Sequence, residues 1–204
     1  MRVRQHVNPL KSNFFDLAPE AVRVPPGLPL EVELGSAEAW FLMDRARHEP
    51  HAFYVGVEIR RELVDKANGD CARLGLGQVH NVFANISVDL PRLFRPRQVR
   101  RFFLNFPDPW FKTKQHKRRA LSAPVVAQIA ELLVPGGEFF VNTDIFAIAL
   151  DAMTELELLA PGRFANLREP WRFLPAPVFA ARSRRELACQ DQGIKIWRLG
   201  YRRI

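Results

Sequence analysis

Residues 99–119 read Val-Arg-Arg-Phe-Phe-Leu-Asn-Phe-Pro-Asp-Pro-Trp-Phe-Lys-Thr-Lys-Gln-His-Lys-Arg-Arg. Val99 to Asn105 has an apolar strand pattern. It runs into a turn where Asp108 is locked between Pro107 and Pro109, with Trp110 next. Lys112, Lys114, Lys117, Arg118 and Arg119 then place five cations in eight residues. A strand that delivers a fixed acid at its end is the unit to look for in the rest of the chain.

That unit recurs. Leu30-Glu-Val-Glu-Leu34 alternates as a strand carrying Glu33 and ending at Gly35. Phe53 to Val57 is a second strand and ends in Glu58. Val79 to Ala84 is a third, followed by a short helical turn near Val88 to Phe94. Glu138 to Asn142 is the fifth and ends at Thr143-Asp144. Helical periodicity covers Ala37 to His48, Arg60 to Leu74, Ala123 to Leu133 and Ile145 to Leu159. Pro124 suits the first turn of its helix, Gly75 and Gly77 close another, and Pro135-Gly136-Gly137 reads as a tight turn. Ile194 to Arg202 is a last strand, while residues 160–180, with four prolines, receive no assignment. Strands alternating with helices predict an α/β fold with a parallel sheet covered on both faces. Ligands of such sheets bind outside the carboxyl ends of the strands, where these acids fall.

Residues 1–29 contain five prolines and are expected to form a basic, irregular arm, with 30–204 as a single domain. A length of 204 residues fits that count. The net charge of +8 favours a polyanionic partner, nucleic acid before anionic membrane. Cys71 and Cys189 lack CxxC spacing and no signal peptide precedes them, so free thiols and a cytoplasmic location are expected. No apolar run approaches the roughly 18 residues of a membrane span. The five histidines lack metal-ligand spacing, and no metal site is expected.

Glu33 and Gly35 after the first strand, with Glu58 at the end of the second, have the pattern of a nucleotide-type cofactor site. The first turn approaches the ligand and the second acid accepts two ribose hydroxyls. Dinucleotides and S-adenosylmethionine fit this pattern equally well. The fourth strand favours S-adenosylmethionine, because its Asn-Phe-Pro-Asp-Pro-Trp segment stands where many methyltransferases carry a polar-aromatic motif beside the methyl donor.

The Phe106-Pro-Asp-Pro-Trp110 turn, followed by Lys112 and His116-Lys-Arg-Arg119, resembles the signature of the bacterial tRNA (guanine-N7)-methyltransferases that modify guanosine 46 of the variable loop. Similar segments extend from Arg4-Gln-His-Val-Asn-Pro-Leu10 through Tyr54-Val-Gly-Val-Glu58, Leu133-Val-Pro-Gly-Gly137 and Thr143-Asp144 to Ile196-Trp-Arg-Leu199. The resemblance implies a seven-stranded, Rossmann-like S-adenosylmethionine-dependent methyltransferase sheet with helices on both faces. It also implies S-adenosylmethionine as cofactor and tRNA as partner, with the protein acting as a monomer or homodimer. By position, Glu33, Gly35, Glu58, Asn85 and Asp108 fall on the family's cofactor contacts. Lys112, Asp144, Ser183, Arg184, Arg185 and Glu186 fall on its substrate contacts, and Lys114, Gln115, His116, Lys117, Arg118 and Arg119 on its RNA contacts. Three places depart from the family pattern. Ala37 and Ala39 stand where glycines are usual, Asn85 replaces an aspartate, and Ser183-Arg-Arg-Glu186 replaces Thr-Lys-Phe-Glu.

Methyl transfer to guanine N7 needs alignment and a dry pocket more than acid–base chemistry, because N7 is unprotonated at neutral pH. The ring gains positive charge as the bond forms, and a fixed carboxylate stabilises it. Asp108 is the expected catalytic residue, with Asp144 as the second candidate. A carboxylate that accepts from guanine N1–H and the 2-amino group also selects guanine over adenine. Trp110 reads equally as a packing residue or a stacking platform. The altered glycine loop motivates a second reading, a tRNA-binding protein of the same fold with weak or absent catalysis.

Overall fold

The computed structural model describes residues 7–110 and 112–204. Strands β1 (Leu30–Leu34), β2 (Phe53–Glu58), β3 (Val79–Phe83), β4 (Val99–Asn105), β5 (Leu133–Thr143), β6 (Phe164–Asn166) and β7 (Trp197–Arg203) form one sheet in the order β3-β2-β1-β4-β5-β7-β6. The first five run parallel, and β7 is antiparallel to both β5 and β6. The chain steps outward from β1 to β3 and then crosses back to β4, so the strand order reverses between β1 and β4. That reversal opens a crevice at the carboxyl ends of the two strands.

Helices α1 (Trp40–His48) and α2 (Arg61–Arg73) cover one sheet face, packing Phe41, Leu42, Ala46 and Ala67 against Tyr54, Phe103 and Phe140. Helices α3 (Leu90–Leu93), α4 (Ala123–Leu132) and α5 (Phe146–Met153) cover the other, with Leu90, Val126, Ile129 and Met153 against Val32, Val55, Phe102 and Val141. With both faces covered, β1 and β2 are buried at every position, charged residues included. Buried charge must be paired. Glu31 accepts from Arg45 Nε (3.1 Å) and Nη2 (2.7 Å) and from Arg101 Nη1 (2.7 Å). Arg45 in turn lies with its guanidinium 4.3 Å from the Phe179 ring centre. Glu33 projects from the same strand face two residues on and opens toward the crevice.

Several expectations need correction. Helix α1 begins at Trp40 rather than Ala37, because Ala37 (φ 49°) and Ala39 (φ 55°) take the left-handed conformation. Pro135-Gly136-Gly137 does not separate a helix from a strand. Leu133 already pairs with Val99, residues 134–137 bulge out with Gly136 at φ 72°, and Glu138 resumes the ladder opposite Arg101. The helix expected to run to Leu159 is α5 followed by a π-helical turn, Thr154–Leu158. The unassigned residues 160–180 contain β6. A sixth helix, α6 (Arg184–Asp191), was not expected at all, although Ser183-x-x-Glu186 is a capping-box pattern. Ser183 Oγ accepts the Glu186 backbone N–H at 3.1 Å.

Residues 7–29 hold one 3-10 turn, Ser12–Phe14, and otherwise lie along the core through Val22, Val24 and Leu28. The Val22 N–H donates to the Leu93 carbonyl at 2.9 Å. Both cysteines are buried free thiols. Among the described residues no helix is long and apolar enough to cross a membrane. Arg2, Arg4 and His6 lie outside the described residues.

Candidate active site at the carboxyl ends of the strands

The crevice is a cavity of about 1150 Å³. It draws Glu33 from the end of β1, Glu58 from β2, Asn85 after β3, Asp108 after β4, Asp144 after β5, and Ser183 to Arg185 from the start of α6. Ligand pockets run at about 300–1,000 Å³, so this one has room for a cofactor and a base side by side.

The floor is built by the β1–α1 turn. Gly35 (φ 74°), Ala37 and Ala39 are all left-handed. The two alanines cost on the order of 1 kcal/mol each in this conformation. Their surroundings hold them there. Gly35 N–H and Ser36 N–H both donate to the Val57 carbonyl (2.8 and 3.3 Å), Ala39 N–H to Ser36 O (2.7 Å), and Ala37 N–H to Glu58 Oε2 (2.9 Å). The turn lies so close on β2 that a Cβ at Gly56 would stand 2.4 Å from Ser36 Oγ and 2.2 Å from Asn81 Oδ1. Gly56 is therefore a site-building residue that a single strand pattern does not reveal. Outside the turn, Glu38 pairs with Lys66 of α2 and Arg184 of α6, and the Lys66 hydrogen bond holds its carboxyl below the usual range. Arg184 also lies 4.0 Å from the Trp40 ring centre.

The two buried acids differ. Glu58 accepts from Ala37 N–H on Oε2 and from Arg60 N–H and Nε on Oε1 at 2.8–2.9 Å, and Arg60 Nη2 also reaches Oε2 at 2.9 Å. Glu33 is 4% exposed. Its Oε1 accepts Asn105 Nδ2 at 2.9 Å, and Asn142 Nδ2 fixes that amide by donating to Asn105 Oδ1 at 2.8 Å. Its Oε2 is buried with no hydrogen bond among the described residues. Burial, reinforced by the Glu58 charge and only partly offset by Asn105, pushes the Glu33 carboxyl up to about 8.

Asn85 serves the arm. Its amide donates to the carbonyls of Pro9 (3.0 Å) and Phe14 (3.1 Å), and its Oδ1 accepts Ser87 N–H (3.0 Å). An aspartate has no such donors, which gives the asparagine a structural reason. The Asp108 turn is bounded by left-handed residues, Phe106 (φ 49°) and Trp110 (φ 43°), and tied down by Phe106 N–H to Asn142 O at 2.7 Å.

The basic run folds back over this turn as a 3-10 segment, Thr113–Arg118. Arg118 lines the cavity with its guanidinium 5.1 Å from the Trp110 ring centre. Arg119 donates to Pro109 O at 3.1 Å and pairs with Asp151 of α5. Lys112, Lys114, His116 and Lys117 are exposed and Gln115 half-buried, all outside the cavity wall. Asp144 is paired with Arg185. Glu186 is placed away from the cavity, 3% exposed and bonded to Arg198 Nη2 at 2.8 Å. Ser183 spends its hydroxyl on the helix cap. Arg101 and Arg198 are committed to internal carboxylates. Among the described residues no group of three or more His, Cys, Asp or Glu is placed to hold a metal ion.

This strand order, with acids ending β1 and β2 around a left-handed turn, defines an S-adenosylmethionine-dependent methyltransferase of the Rossmann-like class. The fold is similar to the crystal structure of the aminoglycoside resistance methyltransferase NpmB1 (TM-score 0.57, 16% identity, 86% of this chain and 87% of that one). A family model described as "Putative methyltransferase" matches residues 28–199. The chain is 37% identical over 205 residues to the tRNA (guanine-N(7)-)-methyltransferase of Synechococcus sp. (strain JA-3-3Ab), covering 97% of this chain and 84% of that one. It is 34% identical over 209 residues to the protein of the same description from Microcystis aeruginosa (strain NIES-843 / IAM M-2473), covering 99% and 98%. The chain belongs to the tRNA (guanine-N(7)-)-methyltransferase family.

The cavity fits the cofactor of that class. The buried, unpartnered Glu33 Oε2 suits a cationic group, Glu58 lines the same cavity, and no atom stands within 4 Å of where a Cβ on Gly35 would lie.

Proposed function

We propose that the protein methylates N7 of a guanine in tRNA, at position 46 of the variable loop. The observation that carries this reading is the meeting of the proline-clamped Asp108 with Glu33, Glu58 and Asp144 in one cavity whose rim is Arg118 of the basic run. S-adenosylmethionine, when bound, supplies an electrophilic methyl group. The β1–α1 turn and Glu58, on exchanging the Arg60 side chain for ribose hydroxyls, would hold the cofactor, and Glu33 offers a carboxylate to positive charge. Asp108, fixed on its turn, faces the positive charge that develops on the guanine ring and stabilises it in a low-dielectric site. It also accepts from the guanine N1–H and 2-amino edge. Asp144, already paired with Arg185, is the second acid on that side. The exposed cations Lys112, Lys114 and Lys117 and the rim guanidinium of Arg118 take phosphates, which gives affinity and orientation rather than base choice.

Catalysis is favoured over mere RNA binding because alanine at 37 and 39 keeps the left-handed turn that glycine would give. We assign residues 30–204 to the catalytic unit and 1–29 to an arm pinned by Asn85. The working form is a cytoplasmic monomer or homodimer. The test is nucleoside analysis of tRNA lacking 7-methylguanosine after incubation with the protein and S-adenosylmethionine. New 7-methylguanosine supports the reading, and intact tRNA binding with no methylated product overturns it.

A further inference from the structure

Three aromatic rings lie just outside the cavity. Phe146 opens α5, Trp197 opens β7, and Phe173 comes from the connection between β6 and α6. The Phe146 and Trp197 centroids are 4.5 Å apart, Trp197 and Phe173 4.8 Å, and Phe146 and Phe173 6.3 Å, all with tilted planes. Phe173 packs partly on the core, but Phe146 is 47% exposed. Trp197 is the ladder partner of Thr143, and Phe146 follows Asp144 by two residues, so the cluster continues directly from the cavity wall.

Its surroundings are cationic. The Lys195 ammonium stands 3.9 Å from the Trp197 ring centre. Arg185, half exposed, leans on Asp144 beside Phe146. Arg119, at the end of the basic run, pairs with Asp151 on the same helix that Phe146 begins. Asp151 lies five residues beyond Phe146, about 7.5 Å along the helix axis and roughly 140° around it.

Guanine N7 lies on the edge that a stacked A-form helix hides in its deep, narrow groove. A base presented there must leave its stack, and the nucleotide next to it then loses a stacking partner. Aromatic faces flanked by cations are how proteins take up unstacked bases. We propose that Phe146, backed by Trp197 and Phe173, stacks an unpaired nucleobase adjacent to the target guanine, with Lys195 and Arg185 on the neighbouring phosphates. The cationic flanks and the continuity with the cavity favour RNA over a second copy of this chain as the occupant. The inference rests on the RNA-modifying reading above.

The test compares wild type, Phe146→Ala and Phe146→Trp for affinity to a transcribed tRNA across a salt series. Cofactor affinity by calorimetry shows that each variant is folded. Phe146→Ala weakens RNA binding about tenfold, leaves the slope of log K against log salt unchanged, and leaves cofactor affinity intact. Phe146→Trp restores binding. Wild-type RNA affinity in Phe146→Ala overturns the platform alone, provided the wild type forms 7-methylguanosine. So does a wild-type dimer that Phe146→Ala splits in light scattering, which assigns the rings to self-association. A wild type that forms no 7-methylguanosine overturns the functional reading first and the platform with it.

Discussion

Burial raises the Glu33 carboxyl well above the usual range, with the Glu58 charge adding to the effect and only Asn105 easing it. An acid raised from 4.5 to about 8 on folding binds its proton more tightly in the folded state. Below pH 4.5 both states are protonated and nothing changes. Between there and about 8 the unfolded chain loses the proton first, so stability falls as pH rises. Urea denaturation at pH 5 and pH 8 checks this: the Glu33→Gln protein loses less stability over that interval than wild type. A cationic cofactor beside Glu33 pulls its pKa back down. Binding near pH 7 then releases up to one proton, seen by calorimetry in buffers of different ionisation enthalpy and missing in Glu33→Gln. Gly56 is the other decisive residue, since an added Cβ meets Ser36 and Asn81. Gly56→Ala is expected to cost about 1–3 kcal/mol or more in chemical denaturation. The strand-end acids were legible because alternation marks where a strand stops. The bond from Asn85 to Pro9 was not, because it joins residues 76 apart in sequence and no local pattern encodes it.

Elements were legible where a periodic pattern ran unbroken, as in β4, whose observed bounds match the expected Val99 to Asn105. They slipped where backbone conformation overrode side-chain pattern. Ala37 to Ala39 look helical by residue type, yet close bonds to Val57 and Glu58 force a left-handed turn there. Replacing Ala37 or Ala39 by glycine removes roughly 1–2 kcal/mol of left-handed strain and adds back about 0.4–1 kcal/mol of unfolded-chain entropy. Each variant should therefore be as stable as wild type or slightly more so, by thermal denaturation. The opposite error was α6, whose capping box is present in the sequence with little apolar periodicity after it to mark a helix. Ser183→Ala removes that cap and is expected to cost about 1 kcal/mol. Because Arg184 and Arg185 sit on the helix it starts, RNA affinity should weaken with it. An unchanged melting temperature would remove the cap from the account.

Across the whole molecule, the net charge of +8 resolves into two populations. Arg45, Arg101 and Arg198 neutralise buried or half-buried acids and hold the sheet together. The exposed Lys112, Lys114 and Lys117 and the rim guanidinium of Arg118 remain for a polyanion, around the crevice where the strand order reverses. Composition alone could not separate these populations, since both are arginine and lysine in sequence. Replacing both Lys114 and Lys117 by alanine should lower the salt slope of tRNA binding by about 0.7–0.9 for each phosphate that is no longer neutralised. We propose that the clamped carboxylate of Asp108 stabilises positive charge on the base in that crevice. Single-turnover methyl transfer to tRNA, with cofactor and RNA both saturating, tests it directly in the Asp108→Asn protein. The expected rate is about 100-fold or more below wild type, and a rate equal to wild type contradicts the role given to Asp108.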